Sequence, residues 1–120
     1  MKTIAILGAS DKPERISNRA VKALQEKGYT VIPVHPTLKE VEGLEVVASL
    51  DDIHTRVDVL SVYVRSEIFE TLLDHTADLK LGYVILNPGS ESPAVEMGLE
   101  KRCIPYHKAC TLVLLQQEKL

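Results

Sequence analysis

The sequence predicts a three-layer α/β/α domain with a mainly parallel sheet of five or six strands. Apolar runs alternate with amphipathic segments, and strands that alternate with helices imply crossover connections and parallel pairing. Hydrophobic residues make up 45% of the 120 residues, only 4% are aromatic and tryptophan is absent. The core is therefore mainly Val, Leu and Ile, as in parallel sheets covered by helices. We expect a single domain over residues 1–120.

The first predicted strand is Thr3–Leu7, in which four of the five residues are apolar. It runs into a turn of small residues, Gly8-Ala9-Ser10, and a helical pattern follows. Small residues let a ligand approach the backbone, and the free N–H groups of a helix N-terminus attract anions. The turn therefore predicts a phosphate-binding site.

The segment 11–15 is polar and contains proline, which predicts a loop. Ser17 is predicted to cap the helix that follows this loop. The buried face of this helix is expected to contain Ile16, Ala20, Val21 and Leu24. Gly28 is expected to end the helix in a left-handed conformation. The second strand is Thr30–Val34, with Pro33 near its end because proline cannot donate to a ladder.

Three more elements are predicted in the middle of the chain. Residues 43–48 predict a short third strand, and Ser49 marks the start of a short helix. The apolar run Val57–Val64 predicts a buried central strand. Ser66 is predicted to cap the next helix, which Gly82 is expected to end. The core face of that helix is expected to contain Phe69, Leu72, Leu73 and Ala77.

The last third of the chain continues the alternation. Tyr83–Leu86 predicts a strand and Asn87–Ser90 predicts a turn. The last serine of that turn, or Ser92, is expected to cap a helix. Cys103–Pro105 predicts a short strand. Thr111–Leu115 fits either a short helix or an edge strand, and the pattern favours neither.

The charge is distributed unevenly along the chain. The net charge of −3 argues against general nucleic-acid binding. Residues 1–40 contain seven Lys/Arg and four Asp/Glu, a balance of +3, whereas residues 41–120 contain seven and thirteen, a balance of −6. The basic excess surrounds the turn at residues 8–10, which favours an anionic ligand there.

Targeting signals and disulfides are not expected. No apolar run approaches the ~20 residues of a membrane helix, and the first strand leaves no room for a signal peptide before it. Cys103 and Cys110 are too few for a disulfide framework, and their spacing fits no common zinc site. We expect two free thiols in a cytoplasmic protein.

The common dinucleotide fingerprint is incomplete in this chain. It needs Gly-x-Gly-x-x-Gly and an acidic residue at the end of the second strand. The turn at Gly8 lacks the second and third glycines, and His35-Pro36 follows the second strand, which disfavours NAD. NADP stays open because Lys39 or His35 could contact a 2′-phosphate. No Gly-Lys-Ser/Thr follows Gly8, so nucleoside triphosphate hydrolysis is not expected.

Several motifs along the chain resemble one family. They are Gly8-Ala9-Ser10, Pro13 with Arg15 and Ser17, Val31-Ile32-Pro33-Val34-His35-Pro36, Val57-Asp58-Val59 before Arg65, Asn87-Pro88-Gly89-Ser90-Glu91-Ser92 and Cys110-Thr111-Leu112-Val113. In this order they resemble the CoA-binding family of small Rossmann-like proteins, which are similar to the amino-terminal domain of the succinyl-CoA synthetase α subunit. Two positions depart from it: His35 replaces the usual Asn, and Asn18 stands where many members have an aromatic residue.

The resemblance implies that coenzyme A or an acyl-CoA lies across the carboxyl ends of the strands. The pyrophosphate would rest near Ser10, Arg15 would fork onto a phosphate, and Lys39 would meet the 3′-phosphate. Val34 and Pro36 would face the adenine. The pantetheine arm would pass Val64-Arg65-Ser66 and Asn87-Pro88-Gly89. The expected ligand-binding residues are Gly8, Ala9, Ser10, Lys12, Arg15, Val34, His35, Pro36, Lys39, Val64, Arg65, Asn87, Pro88 and Gly89.

The sequence predicts no catalytic and no metal-binding residue. His54 and His75 are expected on the surface, and His35 either contacts the ligand or has a loop role. His107 lies near Cys110, but no third group completes a nucleophile. Three hypotheses stay open: a stand-alone CoA-binding module, an NADP-type oxidoreductase fragment, and a regulatory subunit that presents acyl-CoA to an unidentified protein partner.

Overall fold

The computed structural model describes residues 2–120. The strands are β1 Thr3–Leu7, β2 Thr30–Val34, β3 Glu40–Val41, β4 Leu44–Glu45, β5 Val57–Val62, β6 Leu81–Leu86 and β7 Tyr106–Lys108. The α-helices are α1 Ile16–Glu26, α2 Ser66–Glu70, α3 Leu73–Ala77, α4 Pro93–Lys101 and α5 Thr111–Gln116, and a single 3₁₀ turn lies at Leu50–Asp52.

The main sheet has five strands in the order β2-β1-β5-β6-β7, and all neighbours are parallel. The predicted fold class is therefore confirmed, with five strands rather than six and with β5 in the centre. From β1 the chain moves outward to β2 and then returns to the other side of β1. The strand order thus reverses beside β1, and ligands bind at such a point in open α/β sheets.

The alternation of side chains along β1 divides the core into two layers. Ile4 and Ile6 pack with α1 and α5, whereas Ala5 and Leu7 pack with α2, α3 and α4. Ile4, Ala5 and Ile6 are fully buried. The sheet is therefore covered on both faces, which gives the three layers.

Two predictions for α1 are wrong. The helix begins at Ile16 with Arg15 as its N-cap residue, so Ser17 lies within the first turn and does not cap it. Ile16 is 49% exposed, because the first turn extends past the sheet. Ala20, Val21 and Leu24 are fully buried as predicted. Gly28 has a φ of +89° and follows the helix, as predicted.

The third strand predicted over residues 43–48 is a small hairpin. β3 and β4 form a separate antiparallel pair, and a bridge between Val47 and Val34 connects this region to the main sheet. A short helix follows Ser49 as predicted, in the form of a single 3₁₀ turn. The Ser49 side chain does not cap a backbone N–H of this turn.

The helix predicted after Ser66 is divided into α2 and α3. Ser66 is not its cap, because Arg65 occupies the N-cap position and the Ser66 hydroxyl donates to Glu67 Oε1 at 2.7 Å. Ala77 is exposed, and Thr76 is buried in its place because its hydroxyl bonds the Leu72 carbonyl oxygen at 2.8 Å.

Two further boundaries differ from the prediction. Gly82 lies within β6 rather than ending a helix, and a Cβ at this position would meet the backbone of Asp58 in β5. The predicted strand Cys103–Pro105 begins three residues later, because Cys103 adopts a φ of +56° and forms a turn. The open question about residues 111–115 is resolved as α5. Over residues 2–120, every helix is too short or too polar to cross a bilayer.

Candidate functional site

A cavity of about 760 Å³ lies at the carboxyl ends of β1, β2 and β5. It is bounded by the loop after each of these strands and by the first turn of α1. The 3₁₀ turn and helices α2 and α3 complete its wall. The cavity therefore occupies the position at which the strand order reverses.

The structure brings nine of the predicted ligand-binding residues together in the wall of this cavity. They are Gly8, Ala9, Ser10, Lys12, Arg15, Val34, His35, Pro36 and Val64. The other five, Lys39, Arg65, Asn87, Pro88 and Gly89, do not line it. The predicted set thus divides into a group around β1 and β2, and a group farther along the sheet edge.

The turn after β1 requires glycine at its first position. Gly8 has a φ of +89°, and a Cβ there would lie 2.9 Å from Val64 Cγ1. The backbone N–H groups of Gly8 and Ala9 both donate to the Val34 carbonyl oxygen, at 3.1 and 3.2 Å. These two amides are therefore engaged within the sheet edge. They fix the shape of the turn, and a phosphate must use amides beyond them.

The N-terminus of α1 provides further amides. The first N–H groups of a helix have no partner inside the helix. The Arg15 side chain does not cap these N–H groups, and none of the described residues in the first turn is acidic. Lys12 and Arg15 line this side of the cavity, together with one carboxylate, Asp11. The end of the cavity near α1 therefore suits an anion.

The side-chain amide of Asn18 anchors the turn after β1. Its Nδ2 donates to the Ser10 carbonyl oxygen at 2.8 Å and to Glu42 Oε2 at 3.1 Å, and the residue is fully buried. The Ser10 hydroxyl accepts from the backbone N–H of Lys12 at 3.1 Å. The position at which many family members have an aromatic residue thus ties the turn to the β3–β4 hairpin.

The opposite end of the cavity is apolar. Leu50, Ile68 and Leu72 line it, and Ile68 is 43% exposed, whereas Val64 lies against Gly8 at the turn after β1. His35 borders this end, and its Nδ1 accepts from the backbone N–H groups of Thr37 and Leu38, both at 3.1 Å. Because Nδ1 accepts, any proton on the neutral ring is on Nε2.

An ion pair borders the apolar end. His75 Nδ1 and Asp51 Oδ1 lie 2.9 Å apart, and both residues line the cavity. The hydrogen bond to Asp51 raises the pKa of His75 above its ordinary value. His75 is exposed on the surface, as predicted. The prediction missed that His75 also lines the cavity.

Tyr63 lines the cavity, but its hydroxyl is buried and has no hydrogen-bond partner in the part of the chain that the structure describes. Burial raises the pKa of Tyr63 to about 12, so the group stays protonated at neutral pH. Within residues 2–120, no cluster of His, Cys, Asp or Glu is arranged to hold a metal ion.

Asn87 is buried inside the protein, whereas a side chain that contacts a ligand must be accessible from the cavity. It is only 1% exposed, and its side chain bonds Ser61, the Val62 carbonyl oxygen and Thr111. Pro88 and Gly89 are exposed at the turn that follows. The Asn87 side chain therefore joins strands and helix inside the protein.

Sequence reasoning missed the part of the wall formed by the 3₁₀ turn and helices α2 and α3. Leu50, Asp51, Ile68, Leu72 and His75 all belong to it. Leu50 and Asp51 reach the cavity from the connection before β5, and the other three reach it from the crossover after β5. The one signal in the sequence was Ile68, an apolar residue off the core face of the predicted helix.

Comparison with known proteins gives the family. The CoA binding domain family matches residues 2–116. The uncharacterized protein YneT of Bacillus subtilis (strain 168) is 46% identical over 66 residues, which cover 55% of this chain and 49% of that relative. The aligned part is thus about half the length of the curated relative.

Solved structures share the fold over nearly the whole chain. A protein from Thermus thermophilus is 34% identical with a TM-score of 0.88, covering 99% of this chain and 90% of that one. The apo form of a dinucleotide forming acetyl-coenzyme A synthetase 1 of Ca. Korarchaeum cryptofilum is 26% identical with a TM-score of 0.66. There the match covers 84% of this chain and 22% of the synthetase. With its Rossmann-like sheet and a family match over residues 2–116, this chain belongs to the CoA-binding domain family.

Proposed function

We propose that this chain acts as a stand-alone module that binds coenzyme A or an acyl-CoA in the cavity beside β1. The observation that carries the proposal is that one cavity is bounded by the basic, amide-bearing start of α1 on one face of the sheet and by Leu50 and Leu72 on the other. Coenzyme A suits both walls, because its pyrophosphate is anionic and its adenine has flat apolar faces. A binding role accounts for the site without any catalytic group.

The pyrophosphate is proposed to lie between Ser10 and the first turn of α1. Backbone N–H groups at a helix N-terminus bind phosphate oxygens, and the helix dipole favours their charge. Arg15 supplies a planar guanidinium that suits bidentate contact with a phosphate. Lys12 adds a second positive charge on the same side.

The adenine is proposed to lie at the apolar end, against Val34 and Pro36 and opposite Ile68. Burial of apolar surface contributes roughly 25 cal/mol per Å². The Ile68 side chain is partly exposed, so its burial under the bound base would stabilise the complex. Lys39 is exposed on the loop after β2, outside the cavity, and is proposed to meet the 3′-phosphate there.

The pantetheine arm is proposed to leave the cavity past Val64 and to follow the sheet edge toward Pro88 and Gly89. Arg65 lies on this route, at the N-cap of α2. Asn87 would act on the arm only through the shape of the turn, because its side chain is engaged inside the protein. The thioester end would then lie near the surface, which leaves room for an acyl group.

Thermal unfolding with three ligands tests this proposal. A ligand that binds only the folded state stabilises it by about 2.7 kcal/mol at a hundredfold excess over its Kd. We expect CoA to raise the Tm, dephospho-CoA to raise it less, and NADP to leave it unchanged. Stabilisation by NADP alone would favour the oxidoreductase hypothesis. Equal increases in Tm with CoA and dephospho-CoA would show that Lys39 does not contact the 3′-phosphate.

A further inference from the structure

The pair Asp51–His75 lies at the apolar end of the cavity, between residues that are buried. Asp51 follows Leu50, which is 2% exposed and anchored in the core. His75 lies between Leu73, which is 5% exposed, and Thr76, which is fully buried. Their hydrogen bond of 2.9 Å joins the 3₁₀ turn to α3. Both side chains are therefore positioned by buried neighbours, although they themselves are exposed.

The Asp51 carboxylate has hydrogen-bonding capacity left beyond this pair. The bond to His75 Nδ1 uses Oδ1, whereas a carboxylate offers two oxygens and about four lone-pair positions. The Asp51 side chain is 58% exposed and lines the cavity. A carboxylate with free acceptor positions thus stands beside apolar walls formed by Leu50 and Leu72.

We propose that Asp51 recognises the adenine base by accepting a hydrogen bond from its exocyclic amino group, while His75 is a positioning residue that orients the carboxylate. This inference rests on the proposed binding of coenzyme A. Adenine presents an amino group as donor on the edge of an otherwise flat ring. A ring placed between the apolar walls would turn that edge toward the border of the cavity, where Asp51 stands.

The recognition makes the site selective for one base. A site built to bond a donor rejects an analogue that lacks it, because the bound ring covers the acceptor and leaves it unpaired. The matching analogue is a coenzyme A whose base is unsubstituted purine, which keeps the ring and loses only the amino group. We expect wild type to bind this analogue at least about tenfold more weakly than CoA.

Isothermal titration with variants tests the assignment. Asp51→Ala is expected to weaken CoA binding about tenfold and to leave the affinity for the purine analogue unchanged, so that the ratio approaches one. Asp52→Ala is the matched control, since Asp52 is an exposed acid in the same 3₁₀ turn that does not line this cavity. It should keep the wild-type ratio. His75→Ala should reduce the ratio without weakening binding of the purine analogue.

The possible outcomes separate the two proposals. Adenosine 3′,5′-bisphosphate, which contains the base but no pantetheine, should show the same loss in Asp51→Ala as CoA does. A loss for CoA alone would assign Asp51 to the pantetheine arm and overturn the inference. Equal binding of CoA and the purine analogue by wild type would also overturn it, whatever the variant's stability. Failure of wild type to bind CoA at all would overturn the proposed function itself.

Discussion

Asn87 and Thr111 are joined by two hydrogen bonds to one oxygen. Asn87 Oδ1 accepts from the Thr111 backbone N–H at 2.8 Å and from its hydroxyl at 2.9 Å. Asn87 Nδ2 donates to Ser61 Oγ and to the Val62 carbonyl oxygen, both at 2.9 Å. The amide therefore uses both donors and accepts twice, and it joins the ends of β5 and β6 to the start of α5.

Removal of this amide should destabilise the protein without touching the cavity. Asn87→Ala leaves the Thr111 N–H buried without its partner, whereas the Val62 carbonyl oxygen keeps the backbone N–H of residue 87 at 3.4 Å. We expect the free energy of unfolding to fall by roughly 1–3 kcal/mol, the cost of one unsatisfied buried group. Urea denaturation followed by circular dichroism measures this. A change below about 1 kcal/mol would show that water replaces the amide.

Thr111→Val provides the matched control. It removes the hydroxyl that contacts both Asn87 and Ser61 but keeps the backbone N–H. Neighbours in one hydrogen-bond network show non-additive effects of about 0.5–3 kcal/mol. The double variant should therefore lose less than the sum of the two single losses, and strict additivity would contradict the network.

Local patterns in the sequence predicted most of the fold, and the errors have physical causes. The β1 and β2 boundaries and the Gly28 turn are correct because apolar periodicity and backbone sterics decide them. The Ser17 and Ser66 caps are wrong because each helix begins at the preceding loop, where Arg15 and Arg65 stand. Cap chemistry alone does not fix the residue at which a helix starts.

The candidate site was predicted where it depends on strand ends and missed where it depends on packing. Residues after β1 and β2 were found because the carboxyl ends of parallel strands share one edge. Leu72 and His75 line the cavity from the break between α2 and α3 and from α3 itself. That break is a tertiary feature, and no residue pattern in the segment marks it.

Gly82 should be intolerant of any side chain. A Cβ there would collide with the Asp58 carbonyl oxygen of the neighbouring strand. Gly82→Ala must push β6 from β5, and overpacking of this kind costs roughly 1–3 kcal/mol. Chemical denaturation should show that loss. Gly43→Ala is the contrasting case: a Cβ there meets nothing within 4 Å, and the cost comes from its φ of +79°.

Ser10→Glu should block ligand binding and leave the fold intact. The new carboxylate would occupy the space proposed for the pyrophosphate and repel it, while Ser10 is only partly buried. We expect the affinity for CoA to fall by at least about a hundredfold, with a Tm within a few degrees of wild type. Ser10→Ala should bind almost normally. Unchanged CoA affinity in Ser10→Glu would remove the turn from the site.

Asp11→Asn should strengthen CoA binding. Asp11 is an exposed carboxylate in the wall of the basic end, where it opposes an anionic ligand. Its neutralisation should improve the affinity by roughly two- to fivefold at low salt and by less at high salt, because salt screens exposed charges. Titration calorimetry at two salt concentrations measures both effects. Weaker binding would show that the carboxylate bonds the ligand instead.

The strength of the hydrogen bond between His75 and Asp51, at the border of the cavity, should depend on pH. The hydrogen bond to Asp51, its negative charge, and the charges of Asp78 and Asp74 raise the pKa of His75. A raised folded-state pKa means that the stabilisation is complete below the unfolded value, about 6.5, and is lost as pH rises through the folded value. An NMR titration of the His75 ring should therefore have its midpoint above 6.5. In Asp51→Asn the midpoint should fall, since the hydrogen bond to Asp51 and the charge of its carboxylate are the two largest causes of the raised pKa. An unchanged midpoint in that variant would show that Asp51 does not hold the ring in solution.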